Sequence, residues 1–272
     1  MCATCGCGDG GAVITLAGDD HHHQDHHQDH GHDHQHDHGD GDHQHSHPPA
    51  TETVSLEQKV LAKNDALAEE NRKWLAQRKI LALNMTSSPG AGKTTLLERT
   101  IRQLGPRRPV SVIEGDQETL LDAERIRATG CRVVQVNTGA GCHLDAEMTH
   151  RALETLQPES DSLLFIENVG NLVCPALFDL GEWTKVVVIS VTEGADKPLK
   201  YPHMFAAAGL VVINKIDLLP YVDFDLDVCI GHARSINPSV EVIPLSATTG
   251  EGVDGWLAWI DVHENTLVTT DR

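Results

Sequence analysis

Between positions 80 and 245 the chain alternates short, continuously apolar runs with longer stretches in which apolar residues return every three or four positions. The runs are ILALNM (80–85), VSVI (110–113), RVVQV (132–136), SLLFI (162–166), KVVVIS (185–190), LVVIN (210–214) and VEVIPL (240–245). Helical spacing marks 93–104, 119–129, 143–157, 226–236 and 252–264. Strands that are apolar throughout are buried on both faces. The pattern therefore predicts an α/β fold, a mostly parallel sheet with helices on both faces. Ligands of such sheets sit at the carboxyl ends of the strands, so the chemistry is expected in the loops that follow these runs.

Ahead of this region, residues 55–79 read as one amphipathic helix. Ser55 and Gln58 fit a capping box, and Leu56, Val60, Leu67 and Trp74 recur at helical spacing, a face suited to packing on the domain behind it. Residues 1–50 lack the hydrophobicity to offset chain entropy and are expected to stay disordered without a ligand. Three zones result: a Cys/His-rich arm at 1–50, a helix within 51–79 and a nucleotide-binding domain at 80–272.

Charge sharpens the division. Of the formal −19, about half lies in residues 1–50, which hold nine Asp and no Lys, Arg or Glu. No basic cluster suits a nucleic-acid partner. MCATCGCGDG has neither the basic region nor the apolar core of a secretory signal. No apolar run approaches the roughly 20 residues a membrane-spanning helix needs. A cytoplasmic protein is expected, with reduced thiols, so its seven Cys point to metal ligation before disulfides.

TSSPGAGKTT (86–95) joins the first predicted strand to a helix, the setting a P-loop requires. Ser88, Pro89, Gly90, Ala91, Gly92, Lys93, Thr94 and Thr95 form the expected phosphate cradle. Gly90 and Gly92 let backbone N–H groups close on phosphate oxygens, Lys93 supplies a point charge, and the Thr94 hydroxyl can ligate Mg²⁺. Ser87 stands where the P-loop pattern has Gly, and a turn with negative φ accepts it. INKID (213–217) then reads as a base-recognition loop. The Asp217 carboxylate can accept from both N1 and N2 of guanine, a donor pair that adenine lacks. Asn214 holds the loop, and the Lys215 stem can cover the ring. LSATTGEG (245–252), with Ser246 and Ala247, resembles the loop that offers guanine O6 a backbone N–H.

The hydrolytic loops are less regular. FIENVGN (165–171) puts Glu167 where a Walker-B Asp would stand, with Gly170 able to donate to a γ-phosphate. Asp116, in IEGDQETLLDAERI (113–126), is a second candidate for Mg²⁺ or for orienting water, or else the N-cap of the next helix. With no water-positioning Gln and no arginine finger assignable in cis, slow intrinsic hydrolysis is expected.

Soft ligands cluster beside these loops. Cys142 and His143 start a predicted helix, and Cys174 follows the 167–170 loop; thiolate and imidazole suit Zn²⁺ or Ni²⁺. A site placed there could change with nucleotide state, two protomers completing its coordination. The alternative is a buried Cys and a helix-capping His. Cys131 and Cys229 read as core residues. Cys2, Cys5 and Cys7 form C-x-x-C-x-C in a segment with no core to pack in, suited to Ni²⁺ or Zn²⁺. Thirteen of the eighteen histidines follow: His21, His22, His23, His26, His27, His30, His32, His34, His36, His38, His43, His45 and His47. Asp, Gln and Gly interleave them, unlike a purification tag, and neutral imidazoles on a flexible chain make a multi-site, modest-affinity nickel reservoir.

Together EQKVLAKND, SSPGAGKTT, EGD, NTGAGCHLDA, FIENVGNLVCP, TEGADKPLKYP and NKIDLL resemble the HypB family of hydrogenase nickel-incorporation GTPases, over residues 55–272. The resemblance implies a SIMIBI-type P-loop GTPase that forms a GTP-dependent homodimer. It also implies delivery of Ni²⁺ to the large-subunit precursor of [NiFe]-hydrogenase alongside a HypA-family metallochaperone. It assigns GTP or GDP, Mg²⁺, Ni²⁺ and Zn²⁺ as ligands and maps the metal residues onto Cys142, His143 and Cys174. A variable thiolate site maps onto Cys2, Cys5 and Cys7, and the histidine arm onto nickel storage. The urease nickel-delivery GTPase is similar in its core but has a Cys-Pro-His arrangement, where this chain has Cys142-His143. A nickel-storage protein whose nucleotide domain gates its partners is the other reading.

Overall fold

The computed structural model describes residues 13–16, 50–116, 121–139 and 141–269. Cys2, Cys5, Cys7 and the thirteen arm histidines lie outside the described residues. The described chain builds an eight-stranded sheet from β1 (Val13–Leu16), β2 (Leu81–Ser87), β3 (Val110–Asp116), β4 (Arg132–Asn137), β5 (Leu163–Glu167), β6 (Thr184–Ser190), β7 (Ala208–Asn214) and β8 (Glu241–Pro244). Their order is β1-β4-β3-β5-β2-β6-β7-β8, parallel except for β1. All seven runs read as strands are strands. Every residue of β2 and β5 is buried, as expected of strands covered on both faces.

The helices are α1 (Ala50–Gln77), α2 (Lys93–Leu104), α3 (Leu121–Arg127), α4 (Ala146–Leu156), α5 (Lys197–Lys200), α6 (Pro202–Ala207), α7 (Leu226–Ile236) and α8 (Val253–Thr269). One face of the sheet, with Leu83, Met85, Val112 and Phe165, packs under α2, α3 and α8. The opposite face packs under α1 and α4 around Ile113, Val134 and Ile166, and under α5 to α7 around Val187, Ile189 and Val211. Because β2 lies between β5 and β6, the P-loop opens at the centre of the sheet, beside the loop leaving β5.

Four expectations need correction. Residues 13–16, VITL, are a strand within the zone read as structureless: edge pairing to β4 satisfies their backbone, with Val13 opposite Asn137. Val13, the first residue of β1, thus lies at the end of β4 from which the chain leads on to Cys142. Next, α1 begins at Ala50, directly after Pro48-Pro49 in the sequence, so Ser55 lies inside the helix and not at its N-cap position. The first turn of α4 lies beyond Cys142-His143, because the Asp145 side chain accepts from Met148 N at 2.7 Å and caps it there. Finally, Asp116 ends β3, five residues before α3, so it does not cap that helix.

The face of α1 also differs. Val60 is exposed and Leu67 and Trp74 are half-buried, while Asn64, Ala68, Asn71 and Leu75 form the buried stripe. Two asparagines can lie there because each is bonded at both ends. Asn64 donates to Asp179 O (2.8 Å) and accepts from Ala146 N (2.9 Å). Asn71 donates to Ala146 O (2.9 Å) and Leu180 O (3.0 Å), and its Oδ1 lies 2.9 Å from His150 Nδ1. Gly181, with φ +90°, permits the contact: a Cβ there would stand 2.5 Å from Ala68 O. The helix is thereby keyed to the start of α4 and to residues 179–181. Asn71→Ala should remove about 2–3 kcal/mol by stranding two buried carbonyls. Thermal unfolding would register that as a fall of roughly 4–10 °C, against a change within about 0.5 kcal/mol for the exposed Val60→Ser.

Candidate nucleotide and metal site

The loop from β2 to α2 has the P-loop form. Gly90 and Gly92 adopt φ of +72° and +93°, and a Cβ on Gly92 would meet Asn214 Nδ2 at 2.4 Å. Ser87 has no positive φ, which is why it replaces Gly without strain. A cleft of about 470 Å³ lies over the loop, lined by residues 87–95 and by Glu114, Gly115, Asp116, Asp122, Arg125, Asn168, Gly170 and Lys215.

Asn214 is the tie between three loops. Its Nδ2 donates to Ala91 O (2.8 Å), while its Oδ1 accepts from Lys215 N (2.8 Å) and Ala247 N (2.9 Å). The Ser246 hydroxyl accepts from Thr249 N at 3.1 Å, closing the 245–252 turn. Lys215, in a left-handed conformation, extends to Gly90 O at 2.8 Å. Asp217 Oδ1 is buried without a hydrogen-bond partner. A buried acceptor in that condition fits a guanine edge, which would bring two N–H donors.

At the phosphate end, Glu167 is 1% exposed and its Oε1 accepts from Lys93 Nζ and from the Thr94 hydroxyl, both at 2.7 Å. The carboxylate therefore holds the two groups that P-loop chemistry assigns to phosphate and Mg²⁺. Its Oε2 is buried and unbonded. A neighbour escaped the sequence reading: Glu114, 2% exposed, stands in register with Glu167 across β3 and β5. Burial, then the charges of Glu167 and Asp116, push the Glu114 carboxyl up to about 8. Its Oε2 too is unbonded. The only clue in the sequence was an acid near the end of each of two strands; their adjacency required the sheet order. Arg125 was also missed. It reaches the cleft from α3 but is held by Glu98 (2.9 Å), Asp122 (3.1 Å) and Thr95 Oγ1 (3.1 Å).

Cys142, His143 and Cys174 converge, each half-buried, with one ligand atom apiece within 4.8 Å of the others. Cys142 Sγ lies 2.8 Å from Cys174 Sγ and 3.7 Å from His143 Nδ1. Neither thiol is part of a disulfide. Burial lowers the His143 pKa against the opposing charge of Asp145, which keeps the imidazole neutral and able to ligate. The ring rests on Phe178, centroids 4.0 Å apart. Three ligands come from one chain, so the set does not need a pair from each of two protomers, as the sequence suggested. A tetrahedral ion would have one position left for a further ligand. Cys229 is buried, Cys131 lies against the core, and burial drives their thiols up to about 11 and about 12. Neither joins the triad.

Residues 81–244 match the family model described as CobW/HypB/UreG, nucleotide-binding domain. The chain is similar to the hydrogenase maturation factor HypB of Escherichia coli, 49% identical over 289 residues that cover 97% of this chain and 99% of that one. Against HypB of Azotobacter chroococcum it is 61% identical over 208 residues, 76% of this chain and 68% of the other. Two crystal structures share the fold. Archaeoglobus fulgidus HypB has 40% identity and a TM-score of 0.70, covering 75% of this chain and 99% of that chain. Helicobacter pylori HypB in complex with nickel has 34% identity and a TM-score of 0.71, covering 75% and 96%.

The elevated Glu114 carboxyl predicts a pH effect. Between about pH 4.5 and 8 the unfolded chain gives up this proton while the folded chain retains it, so folding is progressively penalised as pH rises and the penalty levels off above 8. At about 1.4 kcal/mol per unit the effect reaches a few kcal/mol. In nucleotide-free protein without Mg²⁺, Glu114→Gln should gain melting temperature over the parent as pH climbs through this window. Parallel melting curves would reject the assignment.

Proposed function

Because the chain belongs to the CobW/HypB/UreG nucleotide-binding family and, within it, to the hydrogenase maturation factors HypB, we propose that it is a GTP-hydrolysing nickel metallochaperone. It helps insert Ni²⁺ into the large subunit of [NiFe]-hydrogenase. The observation that carries this reading is a thiolate–imidazole triad whose third member, Cys174, follows the loop that leaves Glu167, the carboxylate bonded to the P-loop Lys93. The nickel named with the Helicobacter pylori relative agrees with that ligand set.

In this reading GTP displaces the interactions that Glu167 now makes. Lys93 turns from Glu167 to the β and γ phosphates, and the Thr94 hydroxyl turns to Mg²⁺. Glu167 is then released toward the metal's water shell, with Asp116 beside it at the end of β3. Gly170 presents its N–H at the γ-phosphate. The orphaned Asp217 Oδ1 takes the guanine N–H pair, and Asn214 keeps the base loop and the P-loop in register. Intrinsic turnover is slow, because Arg125 is engaged elsewhere and no Gln among the described residues lines the cleft. A GTP-dependent homodimer and a HypA-family partner are the proposed means of acceleration and transfer. Zn²⁺ is a second occupant suited to the same ligands.

Residues 1–47 act as the nickel store, and Cys2, Cys5 and Cys7 as a separate thiolate site. The ligand-rich composition of that segment supports this role. No helix among the described residues is long and apolar enough to cross a membrane. The protein is placed in the cytoplasm, where its thiols stay reduced.

Asp217→Asn should weaken GTP binding by roughly tenfold or more, the loss of a buried charged acceptor pair, and should favour xanthosine triphosphate. Unchanged GTP affinity would contradict guanine recognition. Cys142→Ala with His143→Ala should abolish binding of the one metal ion per protomer that a chain without residues 1–50 retains, read by nickel titration. A full equivalent still bound would move the site elsewhere.

A further inference from the structure

The loop between Glu167 and Cys174 touches both halves of the site, and its two asparagines hold the remaining two ligands. Asn168, 1% exposed and lining the nucleotide cleft, accepts on Oδ1 from Leu144 N (3.1 Å) and Val169 N (3.0 Å). Asn171 donates from Nδ2 to Cys142 O (3.2 Å) and accepts from Val173 N (2.9 Å). The backbone on either side of His143 is therefore bonded to the loop that carries the third ligand, at the Cys142 carbonyl and at the Leu144 amide. Gly170, between the two asparagines, is packed on the P-loop: a Cβ there would stand 3.3 Å from Pro89 Cα. A second route reaches the same ligands. Asn168 Nδ2 contacts Asn84 Oδ1 (3.4 Å), and Asn84 donates to Glu182 Oε1 (3.0 Å). Lys185 joins Glu182 (2.8 Å) to Phe178 O (3.0 Å), and the Phe178 ring lies against His143.

We propose that Asn168 and Asn171 are paired positioning residues that carry nucleotide state to the Cys142–His143–Cys174 triad. The inference rests on the preceding reading that GTP and a metal ion occupy these two sites. A shift of residues 167–170 toward a γ-phosphate moves Cys174 through the chain and moves Cys142-His143 through the asparagine bonds. Leaving those buried backbone groups behind would cost their hydrogen bonds, so the ligands follow the loop. Coupling of this kind is reciprocal: if nucleotide alters metal affinity, metal alters the preference for GTP over GDP by the same factor.

The test uses the full chain and reads nucleotide affinity, so metal held by the arm cancels against a triad control. Dissociation constants for a non-hydrolysable GTP analogue and for GDP are measured with excess Ni²⁺ and with chelator, for the parent, Asn171→Ala, Asn168→Ala and Cys174→Ala. In the parent, nickel should change the analogue-to-GDP ratio by roughly fivefold or more. Cys174→Ala should show no change. Asn171→Ala, which touches neither nucleotide nor metal, should keep the triad's thiolate-to-nickel absorption while its ratio changes by less than about twofold. Asn168→Ala, if it folds, should do the same. Parental coupling in Asn171→Ala overturns the proposal, as does a parent whose ratio ignores nickel. A parent without GTP binding, or without an absorption that Cys174→Ala removes, rejects the underlying reading instead.

Discussion

Glu167 is the residue on which the site depends. Its carboxylate is buried at the end of β5, where a charge without a partner would be costly. Lys93 and Thr94 meet that need, which ties the P-loop to β5. Beside it Glu114 holds its proton up to about pH 8, because burial and then the charges of Glu167 and Asp116 disfavour its ionised form. In the proposed reading a nucleotide with Mg²⁺ would resolve the conflict, phosphate drawing the lysine and the metal the hydroxyl. The next residues along the chain, Asn168 to Cys174, cannot be indifferent to that exchange.

The same economy of buried polar groups positions the metal end. Asn64 and Asn71 fix α1 to the start of α4 and to residues 179–181, while Asn168 and Asn171 fix the Cys142-His143 backbone to the β5 loop. The triad's Cys142-His143 arm is therefore held by Asn168 and Asn171, and its imidazole rests on the Phe178 ring. Its ligands are close before an ion is added, and burial keeps His143 neutral. In the proposed reading a site so arranged would have little to gain by rearranging on metal capture, which would leave control over release to whatever moves the loop.

Most of the sheet was legible because buried parallel strands are apolar along their whole length, and helices at 93–104 and 226–236 were legible to the residue. What was not legible depends on neighbours. VITL is too short to stand out from a polar arm, and it becomes a strand only through β4. The buried face of α1 was misjudged because Asn64 and Asn71 count as polar until Ala146, Asp179 and Leu180 are seen to satisfy them. Glu114 has a role only because β3 lies beside β5 and puts it opposite Glu167. The P-loop sequence, the 213–217 loop, Cys142, His143 and Cys174 were all visible as residues; that one chain brings these last three side chains together was not.

The account's central claim is that the nucleotide site and the triad act together to place nickel in hydrogenase. The most direct measurement is the nickel content of the [NiFe]-hydrogenase large subunit in cells that carry this chain in place of their own HypB. Lys93→Ala and Cys174→Ala should each lower that content to the level of cells with no HypB, and to the same extent as each other, while the parent chain restores it. Full nickel content with Cys174→Ala would contradict the claim.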